Sequence, residues 1–574
     1  MNLEQCKGFF EGLGYEIKFN LVPAGASGSE SLFGVSDYLA AFALLLVIYT
    51  ISDYRNKLRL SLAPFPIYKL GFWIFLCVFF VKAIVELWFF QSWPIFPALD
   101  NKSLIDTVLL TPCILAVFYG IYISYIRPPV FSRWNCNKFF WVYQKVIHNG
   151  TEEELRIALN ELTRSAQALI KAAVAPPFRT DAAWSPTPIQ GAAHNFLLLM
   201  GNRRMCSEMA KNSPDTAATF FREVSKQEKL NLPFGMFAQN ISASFLTDKS
   251  SPIFHEDSGR ESGWSGYAQL YSSEIFANPK LVSALAQRHS SPLDVRYSIR
   301  KKWDAENWEA YGRVSLLYFE RILEESPNLI SDYSVYEILE SFKIMSSGIY
   351  RVNGVDGAFH EMDEYRKLTV LSEFISDFIK LLDKYKVPIS SSVKPKDKQN
   401  SGIHERLAEL IFELIYNVAS VRYPAWTCWD VTHNTVWAKI FSFIDSKTRR
   451  WVFHRVCRLM YDEIRHMDEF FNFKGAAYFG FCLNVLGLSE DRRHDFGKKE
   501  VPLRLATLNW ARKNYSRMKE ESPKVAQACL HGSITFDDNS LEFVRTYSNE
   551  TGKSPKETRF KVDSLRTEGL TSSA

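Results

Sequence analysis

The sequence predicts an all-α membrane protein: an N-terminal three-helix transmembrane segment followed by a large cytosolic, mainly helical region in two lobes. Three observations carry this expectation. Apolar residues are concentrated in membrane-length runs before residue 127. Amphipathic helical patterns dominate the remainder, where alternating strand patterns are scarce. The whole chain is 47% hydrophobic and 23% charged, which is globular in the mean, so its membrane content must sit at one end.

Residues 1–31 form a tail with Glu4, Glu11 and Glu16 and no uninterrupted apolar stretch, which is unlike a cleavable signal peptide. Leu32–Ile51, Leu70–Phe90 and Leu104–Ile126 follow. A helix rising about 1.5 Å per residue needs about 20 residues to cross a hydrocarbon layer of about 30 Å, and each run is at least that long. Arg55, Lys57, Arg59 and Lys69 follow the first span, and Arg127, Arg133 and Lys138 follow the third; only Lys7, Lys18 and Lys102 lie on the other side. That bias puts the N-terminus outside and everything after Ile126 in the cytosol, below a plasma or bacterial inner membrane. Aromatic rings interleaved with basic residues over 127–150 (Phe131, Trp134, Phe139, Phe140, Trp141, Tyr143 with Arg133, Lys138, Lys145) suit a juxtamembrane helix at headgroup depth.

Charges inside the spans mark the first candidate site. Lys82 lies near the middle of the second span with Glu86 one turn later, and Asp106 near the outer end of the third. An ionisable residue at that depth costs about 2.5–3.5 kcal/mol on lenient insertion scales, so it needs a partner. Either Lys82 and Glu86 neutralise each other on one helix, helped by Asp106, or the three form a polar seam facing other copies of the chain. Pro112 should kink the third span.

The cytosolic part divides at 388–402, rich in Ser, Lys and Pro, into a first lobe over 151–387 and a second over 403–548, before a polar and mobile tail at 549–574. Thr151 with Glu154 forms a capping box, and Ser213-Pro214 opens a further helix. Long amphipathic runs follow near 301–325, 357–385, 403–421 and 447–471. Trp426, Trp429, Trp437 and Trp451 are expected in the core of the second lobe.

Motif by motif, catalysis finds no support. Thr551-Gly552-Lys553-Ser554 resembles the end of a phosphate loop, but Tyr547 occupies the position of its first glycine. Gly263-Trp264-Ser265-Gly266 falls one residue short of a nucleophile elbow, beside His255, Glu256 and Asp257 in a polar loop. His360-Glu361 lacks the second His of a zinc helix, and Glu463-x-x-His466 is half of a di-iron pattern. Nine scattered Cys without a CxxC pair suit a reducing compartment. The sequence therefore leans away from an enzyme and implies no cofactor and no metal.

A second candidate surface lies on the helix from Ser446. Val452, Val456, Leu459, Met467 and Phe470 form its apolar stripe, while Arg450, His454, Arg458, Asp462 and His466 recur every four residues on another face. Arg450, His454 and Arg458 are candidates to hold an anionic ligand or acidic partner. A net charge of +5, from 68 basic against 63 acidic residues, is too small to predict nucleic-acid binding. The functional expectation is a multi-pass sensor or effector: the cytosolic helices bind a protein or small signal, and an oligomeric membrane bundle carries the response. A channel or transport subunit, or a membrane-tethered enzyme, are the alternatives.

Overall fold

Proline punctuates the first helices. Tyr54–Leu62 (α1) gives way to Ala63-Pro64-Phe65-Pro66, where two residues lacking an amide hydrogen end one helix before Ile67–Phe90 (α2) begins. Lys102–Ile121 (α3) starts where the Asn101 side chain accepts hydrogen bonds from the amides of Ser103 and Leu104. It runs on through Pro112 and ends in a π turn, Tyr122–Ile126, just before Pro128 and Pro129 forbid continuation. The computed structural model describes residues 22–25, 34, 36–43, 53–95, 100–174, 186–256, 269–325, 333–389, 402–442, 446–491, 499–547 and 556–564.

Two helices, Lys69–Phe90 and Lys102–Ile126, are long and apolar enough to cross a membrane. What separates them from core helices is exposure: only 11% of each apolar window is buried. Trp73, Phe80, Ile84, Val108, Leu115 and Phe118 all point outward. Water would penalise such a surface at roughly 25 cal/mol per Å², whereas hydrocarbon accepts it. The helix Phe473–Leu486 gives the contrast, since it is equally apolar in kind but buried along nearly its whole length. The three-span bundle expected from sequence is thus seen as two helices. Of the first expected span, 32–51, residues 36–43 are helical and most of the rest lies outside the described residues.

The chain clusters into two compact units, Met1–Pro233 and Phe234–Ala574. The first holds α1–α3 and a helical layer: Cys136–Asn149 (α4), Glu152–Leu162 (α5), Ala166–Ala172 (α6), Pro188–Met200 (α7), Arg203–Asn212 (α8) and Pro214–Lys226 (α9). Thr151 and Glu154 form the expected capping box on α5. Helix α9 begins at Pro214 as expected, yet Ser213 does not cap it; its hydroxyl donates to the Asn160 side chain at 2.7 Å. Phe139 and Tyr143 of α4 pack on Phe196 of α7, with ring centroids 5.3 Å apart in both pairs. These two rings of the expected interfacial segment therefore face protein, while Trp134 and Trp141 remain exposed.

The second unit is built on Ala305–Glu325 (α10), Tyr333–Lys343 (α11), Asp363–Lys384 (α12), Ile403–Val418 (α13), Lys447–His466 (α14), Phe473–Leu486 (α15) and Val501–Glu521 (α16). Helices α10, α12, α13 and α14 fall on the four long amphipathic runs read from the sequence, whereas α11, α15 and α16 lie outside them. Helix α12 packs on α10, and α13 on α14, through rings such as Phe319 stacked on Phe378 at 4.4 Å. The Ser- and Lys-rich stretch 388–402 falls within this unit and lies mostly outside the described residues.

A three-stranded sheet in the second unit departs from the all-α expectation, as does the short strand pair Val22–Pro23 with Pro94–Ile95. Ile534–Asp537 (β1), Glu542–Tyr547 (β2) and Lys556–Lys561 (β3) form an antiparallel sheet in which β2 is central. Part of the tail expected to be polar and mobile is therefore a strand, because Phe560 and, just beyond it, Val562 are buried.

Candidate functional site

The charged contact between α2 and α3 is the densest polar arrangement in the membrane-length helices. Lys82 and Asp106 are each 1% exposed, and their charged atoms lie 2.5 Å apart. Glu86, one turn along α2, approaches the same ammonium at 2.8 Å with a third of its side chain exposed. The Tyr38 hydroxyl reaches the Asp106 carbonyl at 3.4 Å. The three charged residues singled out by sequence within the apolar runs thus meet at one ammonium. The principal partner of Lys82 is Asp106 across the helix pair, and Glu86 is the flanking one. Two desolvated charges stabilise each other only when close and hydrogen-bonded, and this geometry meets both conditions.

A second contact escaped the sequence, which assigned Arg59 only to a basic flank. Its guanidinium is 8% exposed. Nε and Nη2 donate to both carboxylate oxygens of Glu161, at 3.0 and 2.6 Å, while Nη1 donates to the Ser124 carbonyl at 2.5 Å. Ser124 belongs to the π turn that ends α3, a geometry that shifts the helical hydrogen-bond register and leaves carbonyls to be satisfied from outside. Arg59 therefore joins the end of α3 to α1 and α5. Arg55 adds a looser contact to Glu161 at 3.4 Å.

Arg450, His454 and Arg458 stand one turn apart along α14. Arg458 is bound to Asp462 at 2.9 Å, and Arg450 is exposed. Partial burial, with the positive charges of Arg450 and Lys499, holds the His454 ring below its usual pKa, so at neutral pH it adds no charge. On the apolar stripe, Val452, Val456 and Met467 are buried and Phe470 is exposed. A buried pair missed by sequence lies on the same helix: Arg455 grips Glu405 of α13, both under 10% exposed, with 2.6 Å between the closest atoms.

The remaining motifs take structural places. Glu256 accepts hydrogen bonds from the amides of Tyr271 and Ser272, capping a short helix from Leu270. His360 lies 4.0 Å from Asp430, whose carboxylate accepts the Tyr365 hydroxyl. Glu463 faces Lys474 at 3.5 Å. Gly263–Gly266 and Thr551–Ser554 lie outside the described residues. Of the four Trp expected in a core, Trp437 is buried and Trp426 is largely exposed. The described cysteines are all free thiols, and burial pushes Cys428 up to about 12.

No family model, no curated protein and no solved structure matches this chain.

Proposed function

We propose that this chain is a multi-pass membrane sensor or effector, in which the helices after residue 127 face the cytosol, bind a protein or small signal, and pass the result to the membrane helices. The observation that supports it is Arg59. A buried, bidentate guanidinium that also holds the terminal turn of α3 gives a rigid path from α5 to the membrane segment. The channel reading has less support, since Lys82 and Asp106 are paired with each other within one chain.

The test is growth and membrane potential, read with a potential-sensitive dye, in cells producing the full chain or its Arg59→Ala variant at equal membrane abundance. The wild type should change one or both, and the variant should lose at least nine-tenths of that effect. A variant that matches wild type, or a wild type with no effect, contradicts the proposal. Ion flux through purified wild type in sealed liposomes, abolished by Lys82→Met, would favour the channel instead.

A further inference from the structure

A cavity of about 400 Å³ opens between α1, α4 and the start of α5. Its floor is apolar, with Leu58 and Val146 buried, and its rim carries Lys57 and Lys145. Glu154 also lines it, but that carboxylate is already engaged by the Thr151 amide at 2.9 Å. Tyr54 completes the wall; burial and the nearby Glu154 push its pKa up to about 12, so its hydroxyl remains a donor at neutral pH. Among the described residues Lys145 forms no ion pair.

The position of the groove is fixed by its neighbours. Asn56, beside Lys57, donates to the Tyr125 hydroxyl at 3.0 Å, and Tyr125 stands exposed in the last turn of α3. Trp141, one turn before Lys145 on the outer face of α4, is 65% exposed, as suits a ring at headgroup depth. The groove thus sits where the apolar surface of α3 ends. Two ammonium groups above an apolar floor, at that level, match a phosphate attached to a glycerol and acyl chain better than a free ion, which has nothing to place on the floor.

We propose that this groove seats the headgroup phosphate of an anionic phospholipid from the adjoining leaflet. The inference rests on the reading that α2 and α3 stand in a bilayer. It is tested with the full chain in nanodiscs of phosphatidylglycerol and phosphatidylcholine, delipidated in detergent and weighed by native mass spectrometry. Wild type should retain one phosphatidylglycerol, the Lys57→Ala/Lys145→Ala pair should retain at least tenfold less, and Lys57→Arg/Lys145→Arg should keep it. Equal retention by the alanine pair overturns the proposal. Displacement of the lipid by millimolar inorganic phosphate overturns it too, and assigns the groove to a soluble anion. A photoreactive phosphatidylglycerol analogue supplies a readout on wild type alone: labelling must fall on residues 54–61 or 142–154, and labelling elsewhere overturns the assignment. Carbonate washing of the same membranes separates the two claims. Wild type that stays in the membrane but retains no lipid sinks the groove alone, whereas wild type that washes off sinks the membrane reading.

Discussion

Lys82 lies between two apolar helices with the Asp106 carboxylate 2.5 Å from its ammonium. Removing one partner strands the other, at about 3–5 kcal/mol for a buried pair, whereas replacing both with apolar groups of similar size is close to neutral. Lys82→Met and Asp106→Leu should therefore each lower the thermal midpoint of the detergent-solubilised chain, and the double variant should recover most of the loss. Additive losses in the double variant would show that the pair does not act as one unit. Sequence located all three charges but favoured Glu86 as the main partner, because an i, i+4 spacing is visible within one helix while a contact between helices is not.

Two buried histidines make stability depend on pH. Burial lowers His404 to about 4 and His531 to about 3, while an unfolded histidine titrates near 6.5. Between those values the unfolded chain binds protons that the folded chain refuses, so this stabilisation is full above about pH 6.5 and is lost as pH falls toward 4 and then 3. The thermal midpoint should fall between pH 7 and pH 5, and His404→Gln should flatten that slope. An unchanged slope in the variant would contradict the assignment.

Among elements, helices were legible and the sheet was not. Capping residues and apolar periodicity placed α5, α9, α10 and α12–α14 close to their observed positions. Strand β3 reads Lys-Glu-Thr-Arg-Phe-Lys, with a single large apolar residue, too little to register as alternation. Its pairing brings Phe560 opposite Phe543 of the preceding strand, a contact that residue alternation within β3 does not announce. The π turn at the end of α3 was hidden for a related reason. Nothing in Tyr-Ile-Ser-Tyr-Ile announces it, and its freed carbonyl is satisfied by Arg59, more than sixty residues away in sequence. Ser213 shows the same limit at smaller scale: the residue type suits a cap, but Asn160 competes for its hydroxyl.

For the whole molecule, hydropathy marked where apolar residues concentrate, and the structure adds which apolar helices are covered. Helix α15 resembles a membrane segment in composition, yet α13, α14 and α16 enclose it. Helices α2 and α3 have no such cover over most of their surface. Bilayer immersion, the proposed state of α2 and α3, would account for that difference, since lipid accepts an apolar helical surface that water penalises. Alkaline carbonate washing of membranes from cells producing the full chain tests it most directly. The account predicts that the chain remains in the pellet with integral membrane proteins; its release into the supernatant would contradict the claim that α2 and α3 stand in lipid.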